Sequence, residues 1–146
     1  MLNNQRIKRV QLDINQTTDF LLLGIVTADP DYKLSIALNN KFSISLKNIS
    51  PVEVTEGNQP MMVFSRFSDL SGSPDLIFNL ISNRSGKNFL FKKLKNIDYI
   101  FQIQDTENEK NKNRIAVDLR EIESINAVFY VDIDTLKDKN LRYLTL

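Results

Sequence analysis

The stretch Phe20-Leu-Leu-Leu-Gly-Ile-Val-Thr-Ala28 runs nine residues without a charged side chain. A strand with two apolar faces needs cover on both sides, so Leu21–Thr27 predicts a central strand of a sheet. A membrane span fails on length, since a helical crossing needs about 20 apolar residues. Val26-Thr27-Ala28 imitates a signal-peptidase site. However, nineteen residues precede the run, and Asp13 and Asp19 dilute the basic character of Arg6, Lys8 and Arg9. The run is read as a buried strand, and the expectation is a cytoplasmic protein without membrane attachment.

The rest of the chain is organised around that strand. Val10, Leu12 and Ile14 alternate with polar residues and predict a short strand. Asp29-Pro30-Asp31 starts a helix: Asp29 or Asp31 caps it, and Pro30 suits its first position. Leu34, Ala37 and Leu38 share one face of this helix, which is expected to end near Asn39-Asn40. Phe42, Ile44 and Leu46 alternate with Lys41, Ser43 and Ser45, predicting a strand with one buried face. Pro51 interrupts, and Val52–Val54 continues at a sheet edge, where Pro is tolerated. Gly57–Pro60 reads as a turn, and Met61–Phe67 and Leu76–Ile81 read as strands. Ile97, Tyr99, Phe101 and Ile103 recur at every second residue, a strand that buries that face. Ile115, Leu119 and Ile122 fall at helical spacing, and Val128–Ile133 is β-branched and aromatic, hence a strand. Phe101 and Leu119 are expected in the core. The C-terminal half is thus strand–helix–strand, its two strands parallel. The fold class expected is α+β: a mainly antiparallel sheet of about six strands with two helices on one face, in a single domain over residues 1–146.

Composition narrows the chemistry. The chain has no His, Cys or Trp. Histidine is the side chain that titrates near neutral pH unaided, and Cys is the strongest common nucleophile and a soft-metal ligand. Ser–His triads, Cys–His dyads, zinc sites of the Cys/His kind and thiol redox chemistry are therefore excluded. Four glycines, at 24, 57, 72 and 86, build no phosphate loop, and no cofactor is expected. Gly24, inside the apolar strand, is read as a site of close packing or a bulge. A chain of 146 residues can bury roughly 68–70% of its unfolded surface, enough for a core without disulfides or metals. Net charge is +1, so no global field favours nucleic acid.

The segment Leu90–Ile103, LFKKLKNIDYIFQI, resembles a family of small bacterial proteins named for the pattern IPExxxVDY. Ile97-Asp98-Tyr99 stands for VDY, and Phe91-Lys92-Lys93 stands where the family has IPE. The stretches Asp19–Ile25, Asp31–Leu34 with Leu38-Asn39, and Val131–Asp134 with Leu136-Lys137 are similar to family stretches in the same order. The resemblance implies a cytoplasmic single domain and carries no assigned activity. Lys93 reverses the charge of the family's Glu. If that Glu were catalytic, this chain should be inactive; if it made an ion pair, the partner must differ here.

Three groups of residues are candidates for function. Asp98 and Tyr99 keep the family's signature pair. Tyr99 is expected on the buried face with its hydroxyl on a buried acceptor, and Asp98 on the opposite face as an interaction residue. Arg84, Lys87, Lys92, Lys93 and Lys95 form a basic run interleaved with Phe89 and Phe91, the nucleic-acid candidate. Lys87 and Lys92 occupy places where a ribonucleoprotein motif would put stacking rings, so binding would be weak. Asp132 and Asp134, with Asp98 on a neighbouring strand, could hold Mg²⁺. Alternatively, Asp134 caps a short helical turn containing Leu136 and Lys137. The leading expectation is a non-enzymatic interaction or regulatory domain that binds a protein partner or itself. The alternatives are an RNA-associated accessory protein using residues 84–95 and a Mg²⁺-dependent enzyme with an all-carboxylate site. No catalytic residue and no resident metal are expected under the leading reading.

Overall fold

β1 (Phe20–Thr27) takes the inner position that its apolar faces demand. The computed structural model describes residues 20–105 and 112–144. The strand expected at Val10–Ile14 lies outside the described residues. After β1 come α1 (Asp31–Phe42), β2 (Lys47–Val54), β3 (Met62–Gly72) and β4 (Leu76–Ser82). A small hairpin follows, β5 (Arg84–Ser85) with β6 (Asn88–Phe89), then a 3-10 turn at Lys92–Leu94. β7 (Tyr99–Asp105), α2 (Lys112–Arg120), β8 (Ile125–Tyr130), α3 (Ile133–Leu136) and a 3-10 segment at Lys139–Leu144 complete the order. The main sheet has six strands in the order β2-β3-β4-β7-β1-β8, and each neighbouring pair is antiparallel. β7 and β8 both run against β1, so they are parallel to each other as expected, with β1 between them.

Two apolar layers sandwich this sheet. On the first face, α1 supplies Leu34 and Leu38 and α2 supplies Ala116 and Leu119. These pack on Leu23, Ile25, Phe67, Phe78, Leu80, Phe101, Ile103 and Val128 from the strands. Phe101 and Leu119 are fully buried, as expected, and the Phe101 ring stacks at 6.0 Å on Phe78. On the second face, Phe20, Leu22, Phe64, Ile81 and Ile100 are covered by Leu90 and Phe91 and by Leu136 and Leu144 near the C-terminus. Cover for that face comes from turns and short helices, which carry no periodicity for a sequence pattern to reveal.

Local departures from expectation have local causes. Pro30, not an aspartate, occupies the N-cap of α1 and offers no side-chain bond, while Asp31 in the first turn accepts from the Tyr32 N–H at 2.6 Å. Asp29 sits one residue too early and instead meets Lys33 at 3.7 Å. α1 runs past Asn39-Asn40 to Phe42 and stops at Ser43, which takes a left-handed conformation (φ 54°). The strand expected from Phe42 to Leu46 is therefore the end of a helix and a connector. Its apolar residues still reach the core because Asn39 serves Leu46 as a mock strand. The Leu46 N–H donates to Asn39 Oδ1 at 2.7 Å, and Asn39 Nδ2 donates to the Leu46 carbonyl at 3.3 Å. β2 does lie at a sheet edge and bulges between Ile49 and Val52, around Pro51. β8 ends at Tyr130 rather than Ile133. Asp132 is the residue that caps α3, its carboxylate accepting from the Asp134 N–H at 3.0 Å, so Asp134 is in the first turn and not the cap.

Ile97 is the residue whose phase was misread. It lies in the second-face core, away from Tyr99, Phe101 and Ile103. β7 begins only at Tyr99, and Ile97 closes a turn by donating its N–H to the Leu94 carbonyl at 3.0 Å. Its side chain lies over Gly24. A Cβ at position 24 would overlap the Ile97 δ-methyl and sit 3.0 Å from its Cγ1. The close approach expected of Gly24 is therefore made by a side chain.

Asn83 holds the excursion from residue 83 to residue 98 in place. It is fully buried. Its Nδ2 donates to the carbonyls of Leu94 (2.8 Å) and Ile97 (2.9 Å), and its Oδ1 accepts from the Phe91 N–H at 2.9 Å. Its own N–H donates to the Asp98 carbonyl at 2.9 Å, and its carbonyl accepts from the Leu90 N–H at 2.8 Å.

Two stability measurements check this account. Asn83→Ala strands the Ile97 carbonyl and the Phe91 N–H in the interior, while the Leu94 carbonyl keeps the Ile97 N–H, and should cost about 3 kcal/mol in urea unfolding. Gly24→Ala should cost about 1–3 kcal/mol by overpacking. That cost should shrink when Ile97 is also changed to Ala, a coupling that a double-mutant cycle reads directly.

Candidate functional site

Asp98 and Tyr99 lie where β7 begins, and both reach across to the end of β1. The Thr27 N–H donates to Asp98 Oδ2 at 3.0 Å, and the Tyr99 hydroxyl donates to the Asp29 carbonyl at 2.8 Å. Thr27 extends the tie: its hydroxyl donates to the Ser124 carbonyl at 2.7 Å and accepts from the Asp29 N–H at 3.1 Å. The buried-acceptor role expected for Tyr99 is thus observed, on the loop after the neighbouring strand. The cation beside Asp98 is Arg84, at 3.2 Å, rather than Lys93 or Lys95, its nearest cations in sequence. A shallow cleft of about 370 Å³ borders this knot, lined by Thr27, Asp29, Ser82, Arg84, Asp98 and Tyr99 among others. Burial, and then the carboxylates of Asp31, Asp98 and Asp29, push the Tyr99 hydroxyl up to about 12. Both oxygens of Asp98 already have partners, one in a backbone N–H and one in a guanidinium. The pair therefore acts first as a clasp between β1 and β7.

The basic run does not stay together. Arg84 pairs with Asp98, donates to the Lys95 carbonyl at 3.3 Å and lies over the Phe89 ring at 5.1 Å. Phe91 is fully buried and offers no ring for stacking. Lys93 turns to the opposite side, where its ammonium donates to the Leu136 carbonyl at 3.0 Å. Lys87, Lys92 and Lys95 do converge, with Asn88 and Phe89, on a cleft of about 690 Å³ that also includes Met61 and Glu56. Glu56 dilutes the positive charge there. It meets Lys92 at 3.3 Å and Lys139 at 3.7 Å, and the Lys92 hydrogen bond followed by the charge of Lys139 holds its carboxyl below the usual range.

The three carboxylates considered for Mg²⁺ are separated along β1. Asp98 meets the end at Thr27, whereas Asp132 follows Val131, whose N–H donates to the Leu22 carbonyl. Asp132 accepts from the Thr135 hydroxyl at 2.8 Å as well as from Asp134, and these bonds hold its carboxyl low. Among the described residues, no group of three Asp, Glu, His or Cys side chains converges as a metal site.

The sequence reading missed the outer edge of β8. Phe129 and Tyr130 are adjacent, so they point to opposite faces, yet they are 44% and 51% exposed. Among the described residues, β8 is the last strand of the sheet. Because Val131 donates inward to Leu22, the alternation of the ladder turns the N–H and C=O of Val128 and Tyr130 outward. Arg120 at the end of α2 donates to the outward Val128 carbonyl at 3.1 Å. Beside this edge, a groove of about 450 Å³ is lined by Leu94, Ile97, Phe129, Val131 and Leu136, with Lys93 and Asp132 among its polar residues. The other edge, β2, carries Lys47, Pro51, Glu53 and a bulge, all of which discourage pairing. Two adjacent aromatics at a strand's end were the available signal, but the sequence did not say that β8 lacks an outer neighbour.

Compared with protein-family models, curated proteins and solved structures, the chain matches none.

Titration of Tyr99 gives a test of the clasp. Its hydroxyl is raised in the fold, so the unfolded chain ionises first, and stability is lost as pH rises from the ordinary tyrosine range through about 12. The wild type should therefore lose stability relative to Tyr99→Phe across that alkaline window. Below it, the variant should be less stable by about 1 kcal/mol through the lost hydrogen bond. Equal pH profiles in urea unfolding would place the hydroxyl in solvent.

Proposed function

We propose that the chain is a non-enzymatic interaction or regulatory domain that binds a protein partner or itself along the outer edge of β8. The observation that carries this reading is the edge left open among the described residues, with Phe129 and Tyr130 exposed on its two faces. An edge strand with unpaired main-chain groups is a ready template for another strand, and unmodified edges are unusual in monomers. Both edges bulge, β8 at Asn126, and the choice rests on composition, since β8 carries neither Pro nor a charged side chain. The separation of the three aspartates, and the structural ties of Asp98, support a binding role over turnover. The reading takes the chain as a cytoplasmic single domain of the IPExxxVDY family. The family assignment rests on the motif resemblance. No described helix is long and apolar enough to cross a membrane.

One observation favours a second reading. Lys87, Lys92 and Lys95 share a cleft with Phe89, a footprint for weak, salt-sensitive binding of single-stranded RNA. Capture from a native lysate, with and without nuclease, separates the two. Under the leading reading, a bound protein survives nuclease, is lost with Phe129→Lys plus Tyr130→Lys, and is retained with Lys92→Glu plus Lys95→Glu. The opposite pattern selects RNA. Capture that is indifferent to both pairs of substitutions refutes both readings.

A further inference from the structure

We infer that the cleft between the β5–β6 hairpin and the turn from β2 to β3 is a binding site for a nucleoside diphosphate, taken as a free small molecule. The inference goes beyond the edge-binding reading and does not depend on it. It starts from where the fold puts its lysines. The hairpin turns through Gly86-Lys87, and Gly86 has the positive φ (58°) that a two-residue turn requires, so Lys87 stands at the tip. Lys92 opens the 3-10 turn and Lys95 follows its end, a spacing of three that stacks side chains on one side. All three lysines line the same cleft of about 690 Å³.

Their charge is poorly matched from within the chain. Glu56 is the one carboxylate in the lining, and it is shared between Lys92 at 3.3 Å and Lys139 at 3.7 Å. Among the described residues, Lys87 and Lys95 have no carboxylate within ion-pair reach. Four ammonium groups therefore gather around a single carboxylate. Like charges that converge on a low-dielectric wall raise the local concentration of anions, and an anion that enters relieves their repulsion. Lysine holds phosphate as a point charge, so the site needs no glycine-rich loop.

The rest of the lining suits a nucleoside. Met61 is 54% exposed and borders the cleft with Phe89, giving an adaptable apolar surface for a base. Gln59 and Asn88 add carboxamides, each both donor and acceptor, for the base edge or the ribose hydroxyls. A bare phosphate would leave this half of the cleft unfilled. RNA shares the chemistry, but a single strand needs a cationic track along its backbone and rings for successive bases. Here Phe91 is fully buried, Lys93 turns to the Leu136 carbonyl and Arg84 is held by Asp98. The unmatched charge thus ends at the cleft, whose size is that of a small-molecule site.

Titration calorimetry of the full chain tests this with ADP, adenosine, pyrophosphate and a single-stranded oligouridylate, at fixed ionic strength and without divalent cations. ADP should bind, and adenosine and pyrophosphate should each bind at least about tenfold more weakly, since each lacks part of the contacts. Lys87→Ala plus Lys95→Ala breaks no ion pair among the described residues and should weaken ADP by at least about tenfold. Met61→Ala should weaken ADP and leave pyrophosphate unchanged, which separates the base from the phosphates. Glu56→Gln removes the competing carboxylate and should tighten both. Circular dichroism confirms that the variants fold. Absence of ADP binding overturns the inference, and so does binding that survives the loss of both lysines. Pyrophosphate that binds as tightly as ADP overturns the nucleoside assignment. Oligouridylate that binds more tightly than ADP, and through the same lysines, overturns the free nucleotide and selects the RNA reading of this cleft.

Discussion

One buried amide, that of Asn83, determines how the second half of this protein meets the first. Between β4 and β7 the chain makes a sixteen-residue departure from the sheet, from Asn83 to Asp98. Such a departure leaves main-chain groups unpaired in the interior unless something satisfies them. Asn83 does so with both ends of its side chain and both of its main-chain groups. Its bonds set Phe91 and Leu90 onto the second face, seat Ile97 on Gly24 and deliver Asp98 and Tyr99 to the start of β7. An apolar residue at position 83 would leave the Phe91 N–H and the Ile97 carbonyl without this partner, so the seating of Phe91 and Ile97 on the second face depends on a polar side chain.

The same economy of polar groups recurs. Asp69 is mostly buried. Burial alone would raise its carboxyl, but bonds from the Ser71 side chain and from the N–H groups of Ser45 and Ser71 outweigh it and hold it low. Asp69 thereby ties the connector after α1 to β3. Asn39 holds Leu46, Lys93 holds Leu136, and Thr27 holds Ser124. On the second face, Ser68, Asn79 and Gln102 join across three strands and need no apolar cover of their own. Residues that look like reactive candidates when read one at a time are, in the fold, the fasteners of irregular backbone. Asp98 is one of them, clasping the end of β1 to the start of β7.

A sheet closed on both faces has only its edges left for recognition. The β2 edge is bent at Pro51 and flanked by charge. The β8 edge carries two aromatics and a single arginine cover. Both edges bulge, β8 at Asn126, and the β8 edge differs from β2 in having neither Pro nor charge along it.

The elements with strict periodicity were legible in the sequence. β1 could be identified as central because no residue in it tolerates water on either face, and β7 because Tyr99, Phe101 and Ile103 alternate. α2 followed from the spacing of Ile115 and Leu119. These patterns record burial against the nearest layer, and burial is what side-chain chemistry encodes. The sequence could not reveal what depends on contacts between distant segments. The phase of Ile97 was set by a turn that Asn83 imposes, and the connector at 43–46 was set by Asn39 and Asp69. The five cations of the basic run were divided among three clefts, Arg84 beside Asp98, Lys93 beside Leu136, and Lys87, Lys92 and Lys95 with Phe89, by a hairpin and a 3-10 turn. The exposure of Phe129 and Tyr130 was decided by strand order alone, because an apolar strand reads the same whether or not a neighbour lies beyond it.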